Sequence, residues 1–364
     1  IIQRDLSAGN DAGQLARRIC HLLSREFEVD GRRLQIGASI GIAHGCITPV
    51  GAAEIVRRAD IALYSAKGRG RGGYRIYSDA LDATLRAEKE MEAKLDEALA
   101  GGQFVLHYQP IVDLKDGRVA GYEALLRWQH PEKGLVSPGA FVPLAENSGK
   151  IVPIGNWVLQ QACRDFANLP EDVRISVNAS AVQLKTGAFV MSVEAALRAS
   201  GLTPSRLVIE ITETAMLENS DANISQLNAL RKLGVKIAID DFGAGYSSLN
   251  YLQRFPIDCI KIDRSFVRSL GSCRKAEACV MAINSLAQGL GVRTVAEGVE
   301  TARQREALIR LGGTEAQGFA FGRPAPILTV VSGWTEKAAF VECGVSPAAP
   351  LDEAGSNAVI AAVA

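Results

Sequence analysis

Short apolar runs alternate with amphipathic stretches along most of the chain, and that alternation predicts strand–helix–strand repeats. From residue 103 onward the apolar runs lie at 104–108, 121–128, 174–177, 207–211, 237–239, 259–262 and 294–296, with a last one at Gln317-Gly318-Phe319. Between them, apolar residues recur at helical spacing over 152–167, 187–199, 223–233, 276–290 and 302–311. Strands that alternate with helices argue for parallel βαβ units. About eight of them over about 250 residues fit a (β/α)8 TIM-type barrel. An open doubly wound sheet is the alternative, and no Gly-rich phosphate loop supports it. Asp116-Gly117 places a hairpin between the first two runs, so the first strand is expected to be irregular.

The first eighty residues follow a different plan. Leu15, Ile19, Leu22, Leu23 and Phe27 predict a helix near 11–27. Asp30-Gly31 then turns into a strand over 34–42, and a helix over 52–66 and a short strand at 75–77 follow. Leu81, Leu85, Met91, Leu95 and Leu99 predict an amphipathic connector helix that stops at Gly101-Gly102. The expected division is a small α/β domain at 1–80, a connector at 81–102, the barrel at 103–340 and an Ala- and Pro-rich tail at 341–364. Ile1-Ile2 reads as the end of a strand, so the chain is expected to be cut from something longer.

Composition narrows the chemistry. Lys plus Arg and Asp plus Glu balance at 40 each in 364 residues, which gives no basic field for a nucleic acid polymer. No apolar run approaches the roughly 18 residues of a membrane span, so no membrane contact is expected within this segment. Seven scattered cysteines without a CxxC pair read as reduced thiols, and a cytoplasmic location is expected. The four histidines have no ligand spacing, which argues against a His-based metal site or triad.

The acids are placed differently. Residues 236–249, KIAIDDFGAGYSSL, deliver Asp240 and Asp241 at the end of a buried strand. Neighbouring strand residues point to opposite faces. Both acids can serve one site only if the strand ends there and the chain turns, which Gly243 and Gly245 would permit. Buried carboxylates need a cation. Glu123, Asn178 and Glu210 also stand at or near strand ends, where a barrel carries its active site. Oxygen-only ligands select Mg²⁺ or Mn²⁺, and the adjacent aspartates suggest two ions with Asp240 bridging.

Two families are visible in the motifs. SIGIA at 39–43 and RADIALYSAKGRGRGGY at 58–74 resemble the C-terminal half of a GGDEF (diguanylate cyclase-type) domain. Lys67 and Arg71 match positions near that family's nucleotide, but the GGDEF signature itself does not occur. This stretch alone is therefore not expected to act as a cyclase. From about residue 84 to 335, YQP at 108–110, EALLR at 123–127 and DDFG at 240–243 resemble the EAL domain, a family of cyclic di-GMP phosphodiesterases.

That resemblance implies hydrolysis of cyclic di-GMP to linear pGpG. It places the first metal on Glu123, Asn178, Glu210 and Asp240, and the second on Asp240 and Asp241 with Glu297 close by. It implies that Lys261 or Glu297 handles the attacking water, with Asp263 and Gln317 beside them. Gln109 and Arg127 would touch the substrate, the first at a guanine edge and the second at a phosphate. Glu213 would hold the loop after the Asp pair, and Glu300 the far side of the site. Ca²⁺ is expected to inhibit, and a homodimer through the EAL domain is expected. Ala244 and the pair Gly313-Thr314 depart from the common pattern at positions that are not expected ligands. The rival reading is a catalytically silent cyclic di-GMP receptor or signalling scaffold. Retention of the acidic positions favours the enzyme.

Overall fold

The structure is a computed structural model, and it describes residues 11–29, 32–44, 51–68, 72–217, 220–243 and 254–336. The expectations for the tail and for the loop after Gly243 fall outside those residues, Ala244 and Gly245 included. The chain divides into two compact units, Ile1–Ala93 and Lys94–Ala364.

The first unit holds helices Asp11–Leu23, Ala52–Gly68 and Asp79–Ala93. Strand Ile40–Ile42 pairs in parallel with Tyr74–Ile76. The region read as one strand over 34–42 is split: Arg32–Gln35 forms a hairpin with Glu26–Val29, and a break precedes Ile40. Gly41 explains the close seat of the helix on this sheet, since a Cβ there would lie 2.0 Å from the Ala59 carbonyl oxygen. The predicted connector helix is two helices, Asp79–Ala93 and Leu95–Ala100, divided at Lys94.

The second unit is an eight-stranded barrel. Its strands are β1 (Phe104–Asp113), β2 (Val119–His130), β3 (Arg174–Asn178), β4 (Leu207–Thr212), β5 (Lys236–Phe242), β6 (Cys259–Ile262), β7 (Arg293–Ala296) and β8 (Glu315–Gln317). Each strand pairs with its neighbour in chain order, and β8 closes on β1. Strands β2 to β8 run parallel, while β1 is antiparallel to both β2 and β8. The hairpin at Asp116-Gly117 is the cause. It reverses the chain after β1, and the helical crossovers begin only after β2.

Helices cover the outer face, so the strands are buried on both sides and read as apolar runs. Ile175, Val177, Ile209, Ile211, Ile237, Ile239 and Ile260 are at most 2 % exposed. Each such side chain contributes about 1.5–3 kcal/mol of burial free energy. The alternate positions face the barrel interior, and there the sequence changes character. The lower interior carries Ile111, Val208, Ala238, Cys259 and Val295 as an apolar layer. Next to it, buried Glu315 is gripped by Arg174 Nη2 at 2.6 Å and Arg293 Nη1 at 2.9 Å. The polar end of the chain's chemistry lies above this layer, at the C-terminal ends of the strands.

Removing one partner of a buried ion pair leaves the other without compensation, at a cost of about 3–5 kcal/mol when both are fully buried. Both arginines are partly exposed, so Glu315→Ala is expected to cost nearer about 2 kcal/mol in urea unfolding. A change below about 0.5 kcal/mol would show that the floor network is not structural.

Candidate active site

Lys261 is the second inward position of β6, and its side chain is 1 % exposed. Its ammonium nitrogen lies 2.5 Å from Glu210, 2.7 Å from Glu297, 3.1 Å from Asp240 and 3.6 Å from Glu123. Four strands therefore aim carboxylates at one point, Glu297 from just past the end of β7. Burial by itself would lower the Lys261 pKa, but Asp240, Glu123, Glu210 and Glu297 outweigh it and hold the pKa well above the ordinary lysine range. Burial pushes the Glu210 and Glu297 carboxyls upward, against the pull of Lys261.

The adjacent aspartates reach this point by a route other than the predicted one. The strand does not end at Asp240; β5 continues to Phe242. Ile239 pairs with Ile260 and Phe242 with Ile262, so Asp240 and Asp241 together oppose the single residue Lys261. This is a β-bulge, which re-aims the extra side chain. Asp241 takes φ 52°, and it is the one non-glycine residue with positive φ among the described residues. Aspartate is among the residues that tolerate that region, and the preceding carboxylate ties the backbone there: the Asp241 N–H donates to Asp240 Oδ1 at 3.0 Å. Burial, then the charges of Asp240 and Asp263, push the Asp241 carboxyl up to about 6. Oxygen atoms of Asp240, Asp241 and Glu297 lie within 4.8 Å of one another, an arrangement that could hold a metal ion.

The charge count favours cations. Four carboxylates (Glu123, Glu210, Asp240 and Glu297) surround one ammonium and Asp241 stands beside two of them, which leaves four negative charges on these six groups when all are ionised. Two divalent ions would balance them. A second sign is Asn178. Its Nδ2 donates to Glu123 Oε1 at 2.8 Å, while its buried Oδ1 has no hydrogen-bond partner. A buried carbonyl oxygen without a donor suits a metal. The donor set is all oxygen, as Mg²⁺ and Mn²⁺ require.

The remaining predicted residues separate into two groups. Gln317 Nε2 donates to Glu123 Oε2 at 2.7 Å and to Gln109 Oε1 at 2.9 Å, so it braces two others. Gln109 also donates to the Gly322 carbonyl at 3.1 Å, so its amide is largely committed within the protein. Arg127 and Glu300 line the same cavity of about 330 Å³ as Glu123, Asn178, Asp240, Asp241 and Lys261. Burial lowers the Arg127 pKa, and the guanidinium donates to the neighbouring Leu126 carbonyl. Asp263 lies off the cavity wall and caps helix Arg264–Arg268, accepting from the Ser265 N–H at 3.0 Å. The ion pairs of Lys261 are with the four carboxylates above. Glu213 also lies off the wall, and its carboxylate accepts from the Gly243 N–H at 3.4 Å.

Sequence reading missed one wall of the cavity. Helix Pro138–Asn147 and the first turns of helix Ile151–Phe166 contribute Pro138, Val142, Ile151, Ile154 and Val158. Their apolar spacing matches an ordinary core helix. Gly155 lies in the same wall and lets the helix pass close to Gln183, whose side chain a Cβ would strike at 2.2 Å. Arg264 and Phe319 also line the cavity and were not foreseen.

Comparison with known proteins agrees with the barrel fold. Residues 92–324 match the family model for the EAL domain. The chain belongs to the EAL domain family. Residues 1–73 match the model described as diguanylate cyclase, GGDEF domain, so a partial GGDEF region precedes the EAL domain. The chain is 43 % identical over 320 residues to the bifunctional diguanylate cyclase/cyclic di-GMP phosphodiesterase MucR of Pseudomonas aeruginosa, covering 87 % of this chain and 47 % of MucR. It is 40 % identical over 328 residues to the cyclic di-GMP phosphodiesterase NbdA of the same organism, covering 89 % and 42 %. The chain thus spans less than half the length of these curated relatives. Among solved structures, the PaMucR phosphodiesterase–c-di-GMP complex superposes with TM-score 0.64 at 46 % identity, over 66 % of this chain and 99 % of that one. The FimX EAL domain of Pseudomonas aeruginosa bound to c-di-GMP gives 0.61 at 26 % identity, over 65 % and 96 %. Among the described residues of this EAL protein, no helix is long and apolar enough to cross a membrane.

The bulge yields a direct test. Asp241→Asn and Asp241→Val both remove the charge, but only asparagine accepts the left-handed backbone readily. The valine variant should unfold at a stability about 1–3 kcal/mol lower than the asparagine variant. Equal stabilities would mean that Asp241 does not hold the bulge conformation.

Proposed function

We propose that the chain hydrolyses one phosphodiester bond of cyclic di-GMP to give linear pGpG, with two Mg²⁺ or Mn²⁺ ions. The observation that carries this reading is the gathering of Glu123, Glu210, Asp240 and Glu297 around Lys261, with Asp241 beside Asp240 and Glu297 and with Asn178 Oδ1 buried and free of hydrogen bonds. On this reading Glu123, Asn178, Glu210 and Asp240 hold one ion, and Asp240 and Asp241 hold the other with Glu297 near. The bound ions supply Lewis-acid charge at the phosphoryl oxygen and lower the pKa of a water ligand.

The chain's own residues do the rest. Lys261 spends its three N–H donors on Glu210, Asp240 and Glu297, so its part is to hold those carboxylates in place beside the attacking water. Glu297 reaches both Lys261 and the aspartate pair, so it is the residue we assign to accept the proton. Gln317 fixes the Glu123 carboxylate through its amide. Arg127, on the cavity wall, presents a planar fork for a phosphate. Glu213 braces the backbone just after the bulge, and Glu300 lines the cavity. A homodimer through the barrel domain belongs to the same proposal.

Incubation with cyclic di-GMP and Mn²⁺, followed by chromatography, should show pGpG accumulating. Glu123→Ala should lower the rate by more than about 100-fold with the fold intact by circular dichroism, and Ca²⁺ in place of Mn²⁺ should suppress turnover. Tight binding of cyclic di-GMP without turnover would instead make the protein a receptor. Full activity in Glu123→Ala would overturn the ligand assignment.

A further inference from the structure

A second cleft opens at the floor of the barrel, at the end opposite the carboxylates. Its volume is about 540 Å³. Three cations from three elements line it: Arg231 from the last turn of helix Ser220–Lys232, Lys236 from the start of β5 and Arg293 from the start of β7. Asp258, just before β6, is the one carboxylate among the described residues of the lining. Arg293 is the partition at the back. It lines a small interior cavity beside Glu315 and, on its other side, this cleft.

A basic residue at a helix C-terminus is ordinary, and Asp258 accounts for part of the charge. Its Oδ1 accepts from Lys236 Nζ at 3.1 Å, and its Oδ2 accepts from the Ile237 N–H at 3.0 Å. Arg231 Nε stands 3.9 Å from Asp258, too far for a hydrogen bond. Arg293 Nη1 is spent on Glu315 at 2.9 Å. Among the described residues, the Arg231 side chain donates no hydrogen bond and Arg293 donates through Nη1 alone. Each guanidinium has five N–H donors, so most of them have no protein acceptor. With the Arg174–Glu315 pair behind Arg293 included, four cations meet two carboxylates, which leaves two positive charges.

Two planar forks and an ammonium around one partly exposed cleft match the oxygens of a tetrahedral anion. We propose that the floor cleft is a binding site for a phosphate-class anion, held by Arg231, Lys236 and Arg293. Free phosphate and the terminal group of a phosphomonoester share that chemistry. The site is independent of the phosphodiester chemistry proposed for the mouth.

The test titrates inorganic phosphate into the full chain, freed of metal ions, by calorimetry. Without metals the mouth keeps its negative charges and repels phosphate, so the heat reports the floor. Binding should saturate at one anion per chain. The double variant Arg231→Gln with Lys236→Gln, folded by circular dichroism, should raise Kd about tenfold or more. Asp258→Asn removes the competing charge and keeps an oxygen for the Ile237 N–H, so it should lower Kd about threefold. Arg310→Gln, at a surface ion pair with Glu277 outside the lining, should leave Kd unchanged. A parallel titration with glycerol phosphate separates the sources: equal or tighter binding assigns the site to a phosphomonoester, weaker binding to free phosphate. Absence of saturable binding, a wild-type Kd in the double variant, an equal loss in Arg310→Gln, or weaker binding by Asp258→Asn would each overturn the proposal.

Discussion

An ammonium buried to 1 % exposure is tolerable only if its charge is matched, and Lys261 is matched four times over. The constraint works in both directions. Glu210 is 2 % exposed and would be costly as a lone ion; beside Lys261 it has a partner at 2.5 Å. Yet one lysine cannot compensate every carboxylate aimed at it. The excess of negative charge makes the barrel mouth a place for cations, and the arrangement of the strands decides which atoms those cations would meet.

The parallel barrel supplies this arrangement at small structural cost. Every strand contributes alternate side chains to the interior, so a polar residue from each strand or its end collects at the mouth without distorting the sheet. The exception is β5, which gives two. Its bulge puts Asp240 and Asp241 opposite Lys261 and holds Asp241 at φ 52°. Strained, non-glycine backbone of this kind persists where the surroundings fix it, and here Glu213 holds the adjoining Gly243 N–H. At the other end of the barrel, Arg174, Glu315 and Arg293 form a second polar cluster that is already satisfied within the protein. One cluster stabilises the floor; the other, with an unsatisfied Asn178 oxygen, is open to ligands.

Much of this was legible from the residues. Charged positions inside apolar runs, such as Glu210 in LVIEIT and Lys261 in CIKI, are rare enough to mark a site. The barrel followed from strand and helix periodicity, and the irregular first strand from Asp116-Gly117. What the residues concealed was three-dimensional. A turn after Asp241 was expected, because period-two logic has no place for a bulge within a strand. The resemblance put Asp263 beside the residues that handle the water, and in the structure it caps a helix. The wall built by Val142, Ile154 and Val158 was indistinguishable from core, since helical spacing does not say whether an apolar face meets protein or a cavity.

The central claim is that the carboxylate cluster is completed by divalent cations, and their number measures it most directly. Equilibrium titration with Mn²⁺ at pH 7.5 should give two ions per chain. Asp241, pushed up to about 6, must lose its proton to bind, so affinity should fall as the pH is lowered through that value. Zero bound ions at pH 7.5, or binding indifferent to pH between 5 and 7.5, would contradict the account.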